Sequence, residues 1–223
     1  MKISCALQLL FYAASLGWSS SLIIGGPGDG GNTDPFGGPF GLNPGTRYQQ
    51  IYASGDFNNL GIIEITSIDF FDGNGAFAGD TYIFSFSTVS AGIDTLSDTA
   101  FNANLGPDDA LFATVNLSGA APSTLTIVGS AFLYNPALGN LLLDMTILPG
   151  GTSGDAAYLA RNGTAEGIFS RYDNFGGSAD GYGLVTQVDY LPASSPTPEP
   201  ETATLVLAGL GCITLYCRFR YRR

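Results

Sequence analysis

Alternating apolar and polar positions dominate the chain between residues 46 and 190. The clearest runs cover residues 82–88, 111–117, 141–147 and 184–190. This period of two predicts β-strands with one buried face. In the first run Tyr82, Phe84 and Phe86 share a face. In the second, we expect these residues to point inward: Leu111, Ala113, Val115 and Leu117.

Further strand candidates lie at 51–53, 62–71 and 125–128, and turn signals separate the runs. These signals lie at 72–75, 106–107, 135–136 and 176–177. The body contains no apolar helical face of ten residues. About eight short strands at this spacing predict an all-β fold, an antiparallel β-sandwich of jelly-roll type over 46–190. The preceding segment, 22–45, is rich in glycine and proline and is expected to be irregular.

The N-terminal 21 residues are typical of a secretory signal peptide. Lys2 precedes an apolar run over 5–16, and small residues follow at Gly17, Ser19, Ser20 and Ser21. This order of charge, apolar stretch and small residues predicts export, with cleavage between Ser15 and Ser21. The alternative, a buried N-terminal helix, fits poorly with the glycine- and proline-rich segment that follows.

The C-terminal end has three parts. Residues 191–201 form a proline-stiffened linker, residues 202–217 carry no charge, and residues 218–223 are basic. Sixteen helical residues span roughly 24 Å, and flanking arginines can snorkel to make up the thickness of the bilayer. The basic residues of the tail are Arg218, Arg220, Arg222 and Arg223. A cluster of this kind marks the cytoplasmic side of a transmembrane helix, which places the body outside.

The tail resembles the PEP-CTERM sorting domain of Gram-negative bacteria. Its motif is Pro198-Glu199-Pro200, followed by the short apolar helix and the terminal arginines. The resemblance implies an exported protein that is held in the inner membrane and processed by an exosortase-type enzyme. Glu201 stands where a small hydroxyl residue is common, and Cys212 and Cys217 within the helix are also unusual. An ordinary single-span anchor is the alternative.

The body resembles a group of PEP-CTERM proteins without assigned activity. The matching blocks lie at 47–52, 79–82, 104–109, 132–144 and 183–187. The resemblance implies a β-sandwich with no known catalytic residues. Within it, residues 135–140 predict a tight turn between strands rather than a ligand contact.

Charge and cysteine content narrow the function classes. The chain has no histidine, and its body carries three arginines against 17 acidic residues, a net charge of −14. Such a body repels phosphate backbones, which excludes nucleic-acid binding, and it lacks the commonest general base near neutral pH. Because its cysteines are Cys5, Cys212 and Cys217, the body has neither disulfides nor thiolate metal sites and depends on its core.

A calcium site is the first chemical hypothesis. Asp69, Asp72, Asn74 and Asp80 offer oxygen ligands around glycine turns, and calcium prefers such hard ligands. The spacing does not match an EF-hand, and the same residues also suit plain hairpin turns. The pair at 108–109 is a second candidate, for which a solvated turn is the simpler interpretation.

Catalysis and carbohydrate binding are the other hypotheses. Glu64 and Glu166 are the glutamates available for a carboxylate pair, but spacing in sequence places neither beside the other. Jelly-roll sandwiches often bind sugars, and exposed aromatic rings stack on them. The candidate rings are Tyr48, Tyr52, Tyr158, Tyr172, Tyr182 and Tyr190. The sequence therefore favours a non-enzymatic surface or extracellular-matrix protein, with binding of extracellular polysaccharide as the alternative.

Overall fold

A computed structural model describes residues 19–38, 46–97, 99–148, 150, 154–162, 168–173 and 182–193. The strands are β1 (Ser20–Ile24), β2 (Gly30–Asn32), β3 (Gly37–Gly38), β4 (Thr46–Tyr52), β5 (Ile63–Phe71), β6 (Ala76–Val89), β7 (Ala110–Ala120), β8 (Thr124–Tyr134), β9 (Asn140–Leu148), β10 (Gly154–Asp155), β11 (Tyr158–Asn162), β12 (Ile168–Asp173), β13 (Tyr182–Leu184) and β14 (Thr186–Pro192). Short 3-10 turns cover Ser54–Phe57, Phe101–Asn104 and Pro136–Leu138.

Several sequence predictions concern other parts of the chain. Four of the predicted segments lie outside the described residues: residues 1–18 of the signal peptide, the motif Pro198-Glu199-Pro200, the apolar segment 202–217 and the arginine cluster at 218–223. In the described ranges, no helix has the length and hydropathy needed to cross a membrane.

Two antiparallel sheets form a sandwich, which confirms that part of the predicted fold. One sheet has five strands in the order β12-β4-β9-β6-β7, and the other has four in the order β1-β14-β5-β8. Two small sheets, β13-β11-β2 and β10-β3, complete the pairing within the described ranges. The strands β6, β7 and β8 are longer than predicted, with 14, 11 and 11 residues.

The core lies between the large sheets and is rich in aromatic rings. Tyr82, Phe84 and Phe86 are buried on one face of β6, as their alternation predicts. Phe36 packs against Tyr82 and Tyr158, with ring centroids 5.3 Å and 5.2 Å away. Contacts of this edge-on or tilted kind add to the free energy gained by burying the rings themselves.

The segment 22–45 is more ordered than predicted. Its described part contributes most of β1 and the whole of β2 and β3, and it delivers Phe36 to the core. The hydrophobic pattern does not predict these glycine-rich strands, because their backbone pairing needs no side chain. At Gly37 a Cβ atom would lie 2.7 Å from the carbonyl oxygen of Ala156, so this close pairing requires glycine. The sandwich thus extends beyond the predicted limits of 46–190.

The predicted inward position of Leu111 is wrong. Leu111 is 60% exposed, whereas its neighbour Phe112 is buried. The pairing of β6 with β7 shifts between Phe84 and Ser85, because Phe84 pairs with Ala113 and Ser85 pairs with Leu111. This bulge places one extra residue in β7, so the alternation changes phase before Ala113.

Candidate functional site

The tyrosines considered for sugar stacking differ in exposure. Tyr48, Tyr52, Tyr158 and Tyr190 are buried, and the side chain of Tyr172 is outside the described part of the structure. Tyr182 on β13 is 42% exposed. Among the described members of this group, Tyr182 therefore has the ring that a ligand can reach.

The ring of Tyr182 borders a cleft on the sheet β13-β11-β2. The cleft has a volume of about 330 Å³ and is lined by Asp29, Gly30, Gly31, Asn32 and Tyr182. The central strand β11 pairs with β13 on one side and with β2 on the other. Because β2 begins with two glycines, these positions put no side chain beside the ring, and a Cβ atom on Gly30 would have no neighbour within 4 Å among the described residues.

Hydrogen bonds fix the polar residues at the edge of this cleft. The backbone N–H of Asp29 donates to the carbonyl oxygen of Ala160 at 2.8 Å. Its carboxylate accepts a bond from Nη1 of Arg161, also at 2.8 Å, and the same nitrogen donates to the Pro27 carbonyl at 3.0 Å. Oδ1 of Asn32 accepts the backbone N–H of Asp34 at 3.0 Å. A carboxylate and an amide therefore stand beside an exposed ring.

A second, smaller cleft lies at the turn predicted for 135–140. It has a volume of about 210 Å³ and is lined by Phe57, Asn58, Asn59, Gly61, Asn135, Pro136 and Ala137. The turn is stabilised by its own contacts. Asn135 accepts the N–H of Ala137 at 3.1 Å, and the Tyr134 hydroxyl donates to the carbonyl of Gly139 at 2.8 Å. These bonds account for the asparagine and tyrosine of this block without a ligand.

A buried polar network covers the outer face of the five-stranded sheet. Arg47 binds both carboxylate oxygens of Asp144, at 2.8 and 2.9 Å. Gln49 donates to Asp144 at 2.8 Å and to the Phe101 carbonyl at 3.0 Å, and Asn104 donates to Gln49 Oε1 at 2.7 Å. The network joins β4 and β9 to the turn Phe101–Asn104, which lies in the connection between β6 and β7.

A second buried network lies on the opposite face of β4. Gln50 Nε2 donates to the Leu184 carbonyl at 2.8 Å, and the Leu184 N–H donates to Gln50 Oε1 at 2.7 Å. The Tyr48 hydroxyl also donates to Gln50 Oε1, at 2.6 Å, while the hydroxyls of Tyr52 and Thr186 share a bond at 3.0 Å. The block 47–52 thus contacts residues from the blocks 104–109, 132–144 and 183–187. Sequence reasoning noted these blocks but did not predict that they meet.

The four calcium candidates have different partners. Asp69 Oδ2 accepts a bond from Gln187 at 3.1 Å, whereas Asp80 Oδ1 accepts the Gly150 N–H at 2.6 Å. Asp72, in a left-handed turn conformation, accepts a bond from the Asn74 amide through its carbonyl at 3.4 Å. Among the described residues, no group of three or more Asp, Glu, His or Cys side chains is arranged to hold a metal ion.

The remaining acidic candidates are the pair Asp108 and Asp109 and the glutamates Glu64 and Glu166. Asp108 Oδ1 accepts the Thr88 N–H at 2.7 Å, which stabilises the turn. Loss of solvent raises the pKa of Asp109, the negative charge of Asp144 raises it further, and Arg47 opposes the increase. Glu64 is half-buried on β5, and Glu166 belongs to the part of the chain left undescribed.

Comparison of the chain with known protein families, with curated proteins and with solved structures finds no match.

Proposed function

We propose that this chain is an exported, membrane-sorted protein of the cell surface or extracellular polymer matrix. In this proposal its β-sandwich has a structural or interaction role and no enzymatic one. The observation that carries the proposal is the order of the C-terminal signals, namely Pro198-Glu199-Pro200, the uncharged segment 202–217 and the arginines of 218–223. This order supports insertion into the inner membrane followed by processing by an exosortase-type enzyme.

The fold is compatible with this role. A cysteine-free body stabilised by an aromatic core and two buried polar networks needs no disulfide outside the cell. The chain also changes sheet between β4 and β5, between β5 and β6, and twice more between β7 and β9. These crossings support the jelly-roll arrangement as the finer description of the sandwich.

The decisive experiment replaces Pro198, Glu199 and Pro200 with alanine. All three lie outside the apolar segment, so membrane insertion is expected to survive. Recognition of the motif by the exosortase-type enzyme should fail. The prolines keep Glu199 extended, whereas alanines would let the helix extend into the linker. In a host with an exosortase, the variant should accumulate as an unprocessed membrane protein.

Pro196→Ala provides the matched control for this experiment. It removes a proline from the same linker but leaves the motif intact, so normal processing is expected. Equal processing of the triple variant and the control would show that the tail is an anchor only. That result would contradict the proposed sorting function.

A second candidate function is carbohydrate binding, and the cleft beside Tyr182 favours it. Sugars present an apolar face, which stacks on an aromatic ring, and hydroxyls, which exchange hydrogen bonds with carboxylates and amides. The cleft offers the ring of Tyr182 next to Asp29 and Asn32, within the size range of small-ligand sites. The acidic body disfavours anionic polymers, so the ligand class is a neutral polysaccharide.

Binding to insoluble neutral polysaccharides tests this candidate. Tyr182→Ala should lose the bound fraction, whereas Tyr182→Phe should retain most of it because the ring remains. Gly30→Leu should also block binding, since the new side chain fills the cleft without meeting other atoms at its Cβ position. Leu133→Ala, which changes an exposed apolar residue on β8, is the control. Binding that survives both Tyr182→Ala and Gly30→Leu would eliminate this cleft as the site.

A further inference from the structure

We infer that the mature chain begins at or before Ser20, so that removal of the signal peptide leaves β1 intact as the N-terminal strand. The inference rests on the export proposed above. It narrows the range of signal-peptide cleavage positions that the sequence allows, which runs from Ser15 to Ser21. It excludes cleavage after Ser20 or Ser21, because either cut would shorten a strand of the sandwich.

The pairing of β1 with β14 supplies the first argument. The two strands are antiparallel and in register over five positions, from Ser20 opposite Tyr190 to Ile24 opposite Thr186. Strand β1 is the edge of the four-stranded sheet and pairs with residues 186–190 of β14 on that side. Cleavage after Ser21 would remove the pairs that Ser20 and Ser21 make with Tyr190 and Asp189.

Packing supplies the second argument. Ile24 is buried in the core, and Leu22 is half-buried against it, while Ser21 and Ile23 face solvent. A chain that began at Leu22 would place a charged amino group on a residue packed against the core. Removing that charge from water is unfavourable without a partner, so the shortened strand would separate from β14 more readily.

The specificity of signal-peptide removal limits the peptide bonds that can be cleaved. Signal-peptide removal is a hydrolysis in which water adds to the peptide carbonyl, the C–N bond breaks, and a carboxylic acid and an amine are released. The enzyme selects small residues at the first and third positions before the bond. The pairs 13/15, 15/17, 17/19 and 19/21 meet this requirement, and they place the new N-terminus at Leu16, Trp18, Ser20 or Leu22. The structure eliminates the last of these.

The geometry also keeps the bond between Ser19 and Ser20 accessible. Ser19 precedes the first paired residue and is exposed, so the bond between Ser19 and Ser20 lies at the edge of the pairing. Once β14 has paired with β1, a bond inside β1 would have to leave the sheet before a peptidase could bind its backbone. Cleavage before β1 needs no such opening, even after β14 has paired.

N-terminal sequencing and intact mass of the full chain exported from a bacterial host test the inference. The expected N-terminus is Leu16, Trp18 or Ser20. The chain has a single tryptophan, Trp18, so loss of tryptophan fluorescence identifies a start at Ser20 or later. A start at Ser21 or beyond overturns the inference while leaving export intact. A chain that retains Met1 overturns the inference together with the proposed export.

Two variants sharpen the result. Ser21→Leu changes a solvent-facing position of β1, so folding should tolerate it and the N-terminus should stay unchanged. If cleavage occurs after Ser21, the same variant places a large residue next to the bond and the precursor accumulates, which overturns the inference. Ser19→Leu should abolish any start at Ser20 and shift processing to an upstream bond.

Discussion

The side-chain amide of Gln50 pairs with both backbone groups of Leu184, donating to its carbonyl at 2.8 Å and accepting its N–H at 2.7 Å. An amide side chain has the donor and acceptor of a peptide group, so Gln50 replaces a neighbouring strand for this residue. The contact connects β4 of the five-stranded sheet to the segment that enters β14 of the other sheet. Together with the bond between the hydroxyls of Tyr52 and Thr186, it forms a polar link across the interior of the sandwich.

Gln50→Met is expected to lower the free energy of unfolding by about 2–4 kcal/mol. The variant keeps the volume but removes the buried acceptor Oε1, to which the Leu184 N–H and the Tyr48 hydroxyl both donate, and a buried donor that loses its acceptor costs about 1–3 kcal/mol. The Leu184 carbonyl keeps the bond that it accepts from the Thr186 hydroxyl. Urea denaturation of the purified protein measures the change. Gln187→Met, on the outer face of the four-stranded sheet, is the comparison and should cost less. A loss no larger than that of Gln187→Met would contradict the proposed role of Gln50.

Arg47→Met is expected to destabilise the protein by about 3 kcal/mol, because it leaves the buried carboxylate of Asp144 without its cation. Arg47→Lys should recover part of this loss, since it keeps the charge but cannot form both bonds. The paired substitution of Arg47 by Met and Asp144 by Leu completes a double-mutant cycle. If the single losses simply add, the two side chains are not coupled.

Stability is expected to fall at alkaline pH. Burial raises the pKa of Tyr158 from 10.0 to about 12, and it also raises the pKa values of Tyr52, Tyr82 and Tyr134. Because the tyrosines of the unfolded chain lose their protons at a lower pH than those of the folded protein, the stability that they contribute is complete below pH 10. This contribution is lost as the pH rises towards 12. Ultraviolet absorbance of tyrosinate and circular dichroism at increasing pH measure the two events.

Tyr158→Phe is the control for this pH dependence. It removes an ionisable group at the cost of one long hydrogen bond, 3.3 Å to the Pro122 carbonyl. The alkaline midpoint should move upward. A midpoint that stays in place or falls would show that Tyr158 ionisation does not drive the transition.

Asp69→Asn is expected to raise the free energy of unfolding by about 1 kcal/mol. Oδ1 of Asp69 is buried without a hydrogen-bond partner, and its other oxygen shares the Gln187 amide with Asp189. Neutralising a buried, poorly solvated charge beside a second carboxylate removes an unfavourable interaction. Thermal unfolding with and without calcium measures the effect. If calcium stabilised the wild-type protein and not the variant, the calcium site predicted at Asp69 would be supported instead.

Regular alternation explains which strands could be predicted. The predicted apolar faces of the runs at 82–88 and 141–147 are buried, and both runs become strands of the five-stranded sheet, although the opposite face of 141–147 is buried as well. A bulge breaks this rule at Leu111, because one extra residue reverses the faces without changing the local composition. Strands β2 and β3 were missed for a different reason, since their glycines carry no side-chain signal.

The candidate site was predictable in its chemistry but not in its location. Tyr182 was one of several tyrosines in strand-like runs, and alternation alone cannot show which edge of a sheet stays open. Its exposure depends on Gly30 and Gly31, which lie far away in sequence and reach it through β11. Gln49 and Gln50 were likewise unpredictable, because buried polar residues on both faces of one strand contradict any simple inside–outside pattern.

The position of β14 sets the order in which the sandwich can assemble. Although it is the last strand of the described residues, it lies inside its sheet, between β1 and β5. Strand β1 therefore has no partner until the residues 186–192 arrive, and this pairing closes almost the whole length of the body as one loop. If the chain is exported with its N-terminus first, as proposed, β1 reaches the far side of the membrane well before β14. The four-stranded sheet would then be completed only when the segment next to the proposed sorting tail has left the translocation channel.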